Sequence, residues 1–242
     1  MNGVWRETIR LKNRDVDMYR RLRTSRLFEL TQEASIAHTE ALGMGRAMTL
    51  DRGLLWVVTL QRAEITQMPV YDDTLLLESW PGETMHVLFP RYYRLLTPEG
   101  TERMRGSALW MLVDRESRRF VFPDRYGISI RGVETGAELA LPGAVASLPF
   151  SEERRFTVPY SYVDLNGHMN NTRYFDLAED CVGAAAAGRE LRSAAIEYKT
   201  EIRLGEELRR RGGREDDRYG LTGGGEKPAF SVSLTYAPAE PR

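Results

Sequence analysis

A single cysteine, Cys181, stands among the 242 residues. No internal disulfide can form, and the composition fits a reducing cytoplasm. Long hydrophobic runs are missing too: no stretch approaches the ~18–20 apolar residues of a membrane span. The run at 182–187 is only helix filler, and residues 1–11 lack the apolar centre of a signal peptide. An excess of either charge is also absent. The 34 basic and 35 acidic residues leave a net charge of −1. A general nucleic-acid binder needs a strong basic surplus, so that class is set aside. What is present is ordinary globular material, 42% hydrophobic and 29% charged. The length is ample for a core, as one large domain or as two of about 100–150 residues each.

Residues 4–11 alternate polar and apolar side chains, the period of a first strand. A turn follows at 16–20. Thr24 or Ser25 is placed to cap a helix over about 26–42, with Leu27, Leu30, Ala34, Ala37 and Ala41 at helical spacing. Gly43 and Gly45 end it. Strands are expected at 54–65, 74–80, 87–96 and 103–114, the last two joined through Pro98-Glu99-Gly100. Residues 54–58 are apolar without a break, the mark of a central strand buried on both faces. Residues 132–150 carry Gly and Pro with little periodicity and read as a linker. The order then repeats. A strand at 153–162 precedes a helix at 172–188, whose expected buried face is Tyr174, Phe175, Leu177, Ala178, Cys181, Val182 and Ala185. Strands at 194–202, 206–211 and 230–236 follow. The glycine-rich 212–228 reads as a mobile hairpin region with a short strand near 218–221.

Polar chemistry is concentrated at 163–179. Asp164, Asn166, His168, Asn170 and Asn171 fall within eight residues, just ahead of the second helix. Such side chains are costly to bury unless each finds a partner. They form either a site or an elaborate helix cap. Sliding the chain by 147 residues lays Val16-Asp17-Met18 on Val163-Asp164-Leu165 and Arg26-Leu27-Phe28 on Arg173-Tyr174-Phe175 without gaps. Asp17 matches Asp164, but Tyr19 stands at Asn166, Arg21 at His168, and Arg23-Thr24 at Asn170-Asn171. Residues that served only the fold should be wanted in both copies. The asymmetry points to chemistry in the second unit and another task for the first.

A strand, a long central helix and an antiparallel sheet around it resemble the hotdog fold. Two in tandem, with D-L-N-G-H-M-N-N-T-R-Y in the second, resemble the acyl-acyl-carrier-protein (acyl-ACP) thioesterases of plants and bacteria. The resemblance spans nearly the whole chain. L-F-E-L-T-Q-E-A-S-I-A-H-T-E-A-L-G is similar to that family's N-terminal helix, and G-L-L-W-V-V-T-L-Q-R-A-E-I and S-A-L-W-M-L-V-D to its following strands. It implies an α+β chain with an N-terminal hotdog domain at 1–131 that holds the acyl chain, a linker at 132–150, and a catalytic hotdog domain at 151–242. The implied activity is hydrolysis of fatty acyl-ACP thioesters, which releases free fatty acid and terminates chain elongation. An acyl-CoA thioesterase and a non-catalytic acyl-thioester-binding protein are the alternatives. The implied partner is acyl carrier protein bearing acylated phosphopantetheine. No cofactor, metal, nucleic acid or membrane span is expected, and a homodimer is left open.

By the same resemblance the catalytic groups are Asp164, Asn166, His168 and, on the next strand, Glu201. Plant members carry Cys after that Glu. Ile202 stands there instead, which weighs against a cysteine nucleophile, and Cys181 reads as core. Thioester hydrolysis needs an activated water or a carboxylate nucleophile, and donors for the developing oxyanion. Glu201 is the candidate base or nucleophile, and His168 orients it or moves a proton. Asn166 can hold water or the carbonyl, and Asp164 fixes the turn. Backbone N–H groups at the helix start, at Asn170, Asn171 and Thr172, are the candidate oxyanion donors. Asn170 and Asn171 serve equally well as helix caps. Glu201 shares strand parity with Glu197 and Lys199, so the residues alone would leave it an exposed strand position. Leu27, Met44, Leu54 and Trp56 are candidates for lining an acyl tunnel, and each is equally a core residue. Arg20, Arg21, Arg23 and Arg26 form one basic cluster for docking the acidic carrier, and Arg209 to Arg211 another. His38 and His86 lack such company and read as structural or surface.

Overall fold

The computed structural model describes residues 3–137 and 139–239. The extreme ends of the two expected domains and linker residue 138 lie outside the described residues. The first half runs β1 (Trp5–Arg10), α1 (Thr24–Ala41), β2 (Leu54–Ile65), β3 (Thr74–Pro81), β4 (Leu88–Leu96) and β5 (Glu102–Asp114). The second runs β6 (Glu152–Thr157), α2 (Arg173–Val182), β7 (Arg189–Tyr198), β8 (Glu207–Glu215), β9 (Arg218–Gly224) and β10 (Pro228–Pro238). All ten strands join one antiparallel sheet in the order β1-β3-β4-β5-β2-β7-β10-β9-β8-β6. Each half therefore contributes five strands in the same internal order, reversed across the middle. The halves meet where β2 pairs with β7, from Leu60 opposite Glu197 to Glu64 opposite Ser193. The unbroken apolar start of β2 fits this central place, with β5 on its other side.

The 147-residue repeat is present in the fold. β6 starts and ends 147 residues after β1, and the short 3-10 turn Asn13–Asp15 has its twin at Tyr160–Tyr162. The two helices cross-connect through matching positions. Phe28 and Phe175 are repeat equivalents, and they stack on each other with centroids 4.1 Å apart and planes 7° from parallel. Glu179 of α2 accepts from the Thr24 backbone N–H at 3.3 Å and from the Thr24 hydroxyl. The twin contact runs the other way, with Asn171 Nδ2 donating to Gln32 Oε1 at 3.2 Å. The α1 start is thus not capped by its own Thr24 or Ser25. A carboxylate from the other helix takes that role, at the end where the helix dipole favours negative charge. Both helices share one apolar core, with Leu27, Phe28 and Leu30 of α1 against Phe175, Leu177 and Val182 of α2.

Three sequence expectations need correction. The second helix stops at Val182 rather than reaching 188, because Gly183 takes a left-handed φ of 51° and the alanines beyond form a 3-10 turn. Cys181 and Ala185 are exposed, so neither is core. The glycine-rich 212–228 is mostly regular strand, in β8, β9 and β10. Its glycines let the linker run close across the sheet. A Cβ at Gly213 would meet the Pro149 carbonyl oxygen at 2.0 Å, and Leu148 lies buried beside Gly220. Residues 132–150 carry no helix or strand among the described residues.

Phe175→Ala should destabilise the whole chain by about 3–5 kcal/mol, since it removes a buried aromatic and leaves a cavity between the helices. Chemical denaturation at equilibrium measures the loss.

Candidate active site

The polar turn ahead of α2 is built like its twin ahead of α1. In the second unit the Asp164 N–H donates to the His168 carbonyl at 3.0 Å, and Gly167 N–H donates to the Asp164 carbonyl at 3.0 Å. Asp164 Oδ1 accepts from the Asn166 N–H at 2.8 Å. In the first unit Asp17 N–H donates to the Arg21 carbonyl at 2.8 Å, Arg20 N–H to the Asp17 carbonyl at 3.0 Å, and Tyr19 N–H to Asp17 Oδ1 at 2.9 Å. The aspartate therefore does the same structural work in both copies. The left-handed position is Gly167 in one (φ 78°) and a strained Arg20 in the other (φ 64°).

What hangs on the turn differs. In the first unit Arg21 fills the histidine's place. Its guanidinium pairs with Asp17 at 2.9 Å, reaches the carbonyls of Ala186 and Arg189, and lies over the Tyr19 ring. In the second unit His168 Nε2 lies 3.2 Å from Glu201 Oε2. Glu201 is not on β7, which ends at Tyr198. It sits in the loop just beyond. That loop is drawn against the turn because Met169 N–H donates to the Ile202 carbonyl at 2.7 Å and Ile202 is buried as an anchor. The other carboxylate oxygen of Glu201 accepts from Arg118 at 3.1 Å. Arg118 comes from the turn after β5, in the first half, and has a left-handed φ of 57°. Nothing in its sequence context singles it out. A non-glycine residue held in that region marks a place where the fold tolerates strain.

Asn170 and Asn171 belong to the scaffold. Asn170 Oδ1 accepts from the Thr172 N–H at 2.9 Å and from the Thr172 hydroxyl at 2.8 Å, an Asx turn that leads into α2. The Asn170 N–H is itself committed to the Tyr162 carbonyl at 2.8 Å. The expected oxyanion donors at Asn170 and Thr172 are therefore already used. Asn171 spends its side chain on Gln32, and its carbonyl accepts from the Tyr198 hydroxyl at 2.6 Å.

An apolar cavity of about 240 Å³ lies between α1 and the strands of the first half. Leu54, Trp56, Phe89, Trp110 and Ile130 line it together with Ser35, Thr39 and Arg91. Asn166, exposed at the tip of its turn, borders the same cavity, although it comes from the other unit. Of the expected lining residues, Leu54 and Trp56 are there. Met44 stands behind them and accepts from Trp56 Nε1 through its carbonyl at 3.3 Å. Leu27 is in the shared core and not on the cavity wall. Phe89, Trp110 and Arg91 were not singled out in the sequence. Nothing in their spacing separates a tunnel wall from ordinary core.

Arg91 is deeply buried, with Nε donating to Ser79 Oγ at 2.9 Å, and burial pulls its pKa down to about 10. His38 is buried beside it. Burial first, and then the Arg91 charge, push its pKa down to about 4.

A double-hotdog protein with one equipped turn and one closed turn is the class that fold and site define. The chain matches the acyl-ACP thioesterase N-terminal domain over residues 2–123 and the acyl-ACP thioesterase C-terminal domain over residues 146–221. It belongs to the acyl-ACP thioesterase family. It is 24% identical over 228 residues to a chloroplastic acyl-acyl-carrier-protein hydrolase of Cuphea viscosissima, covering 84% of this chain and 53% of that one. It is also 24% identical over 222 residues to a chloroplastic dodecanoyl-acyl-carrier-protein hydrolase of Umbellularia californica, covering 82% and 56%. The chain thus spans about half the length of the curated relatives it matches. In fold it is similar to the crystal structure of an acyl-ACP thioesterase from Bacteroides thetaiotaomicron, with TM-score 0.84, 18% identity and 98% of each chain covered. The 12:0-ACP thioesterase from Umbellularia californica is similar too, with TM-score 0.82, 19% identity and 99% of each chain covered.

The lowered His38 pKa has a definite sign. The unfolded histidine takes up a proton below its ordinary 6.5, while the folded one resists until about 4. Its contribution is present above pH 6.5 and is lost as pH falls toward 4, so stability should rise with pH across that window. His38→Gln should flatten this slope in denaturant titrations run at several pH values.

Proposed function

We propose that this chain hydrolyses the thioesters of fatty acyl-acyl carrier protein, releasing free fatty acid and terminating chain elongation. The observation that carries the reading is the Glu201–His168 pair beside Asn166, whose turn borders an apolar cavity in the other unit. The acyl tail enters that cavity and the thioester carbonyl stops at its polar lip. The Asn166 amide donates to the carbonyl oxygen as negative charge develops there, taking the place of the committed Asn170 and Thr172 amides. Glu201 takes a proton from the attacking water, or attacks the carbonyl itself. His168 Nε2 is the neighbouring group able to pass a proton, and the departing pantetheine thiolate is the group that needs one. Asp164 holds the turn and touches none of the reacting atoms. Neither reading of Glu201 requires a cofactor or a metal.

The first unit serves as the tail-binding domain and the second as the catalytic one, on either side of the 132–150 linker. Its closed turn supports this division: with Arg21 locked between Asp17 and two carbonyls, no proton-transfer group is left there. We place the reaction in the cytoplasm, a compartment in which the lone exposed Cys181 stays reduced. No helix among the described residues is long and apolar enough to cross a membrane.

Glu201→Ala and His168→Ala should each lower turnover of acyl-ACP by about 10²–10⁴-fold with melting temperature unchanged. Wild-type turnover in both variants would overturn the assignment. Running acyl-CoA of equal chain length in parallel separates the two carriers, and tight acyl-thioester binding without any turnover would mark a binding protein instead.

A further inference from the structure

The structure ties down most of both basic clusters that the sequence offers for docking. Arg21 is paired with Asp17, Arg23 donates to the Val16 carbonyl at 3.0 Å, and Arg26 pairs with Asp15 and Glu29. Arg211 pairs with Glu153, and Arg210 lies over the Phe156 ring. A third cluster stands elsewhere. Residues 115–131 hold five arginines against two acids, Glu116 and Asp124, in a chain whose net charge is −1. All five arginines are exposed. Among the described residues no carboxylate pairs with Arg119 or Arg125.

The segment after β5 also displays its aromatics. Phe120 is 55% and Phe122 45% exposed, and their rings meet edge to face at 5.8 Å. Arg125 lies over the Phe122 ring, 5.4 Å from its centroid. Together they line a groove of about 520 Å³. Exposed aromatics interleaved with arginine are the composition of a binding surface. Arg118 lines the same groove and holds Glu201, so the groove adjoins the candidate active site.

We propose that this groove is the docking surface for the acidic carrier protein that presents the acyl thioester. The inference rests on the hydrolase reading above. Its occupant is set by charge: unpaired guanidinium groups attract an acidic partner and speed its encounter. Phe120 and Phe122 supply the apolar anchor. A carrier seated there presents its pantetheine arm beside Arg118, at the edge of the candidate site. The thioester at the end of that arm then lies on the Glu201 side.

The test is the double charge reversal Arg119→Glu with Arg125→Glu in the full chain; neither residue touches Glu201 or His168. KM for the acyl-carrier-protein substrate should rise by about tenfold or more with kcat retained, and the salt dependence of kcat/KM should weaken. Turnover of the matching acyl-pantetheine, which lacks the carrier, should not change. An unchanged KM for the carrier-bound substrate overturns the proposal, and so does a parallel loss on both substrates. Should the wild type hydrolyse no thioester, the hydrolase reading fails by itself. The surface is then tested by titrating carrier protein against both proteins, with binding expected only to the wild type. Light scattering without carrier covers the remaining occupant: a dimer of the wild type that the double variant abolishes assigns the groove to a second copy.

Discussion

The stack of Phe28 on Phe175 is the contact around which the molecule is arranged. It joins equivalent points of two repeats, so everything else follows in matched pairs. One helix start meets a carboxylate from the other helix, and the reverse meeting is made by two amides. The sheet reverses its strand order at the β2–β7 seam. With the helices fixed face to face, the turn before each helix must lie against the neighbouring unit. That is why Asn166, from the second half, borders a cavity roofed by α1 of the first.

The equipped turn and the closed turn share a backbone and differ in a few side chains. Aspartate is common to both and explains the shape. Histidine on one side and arginine on the other explain the difference. The histidine reaches a carboxylate from the loop after β7. An arginine held by a carboxylate and two carbonyls is a strut. The same framework thus holds a histidine–carboxylate pair at one corner and an arginine strut at the other, and the second steadies the half that encloses the apolar cavity.

Much of this was legible in the residues. The repeat located both turns, and β2 was read to its end residues because its apolar run and flanking glycine leave little choice. The failures have local causes. The alanines after Val182 favour helix, but Gly183 adopts a conformation that ends it, and Cys181, inside the helix, faces outward. Glycines in β8 and β9 read as mobility. They are instead a fit to the linker, which no local pattern announces. Glu201 could be named only by resemblance. Arg118 lies more than eighty residues away in sequence, and only the folded chain shows that the two meet.

The joining of the two halves into one chain has a consequence for how such a site can change. In an assembly of two identical chains every substitution appears twice, so a residue needed at one corner is imposed on the other. Here the corners are encoded separately. Tyr19 and Arg21 can stand in one copy while Asn166 and His168 stand at the same places in the other. Covalent continuity, with residues 148–149 pressed onto the glycines of β8 and β9, is what allows one framework to hold a histidine–carboxylate corner beside an arginine one.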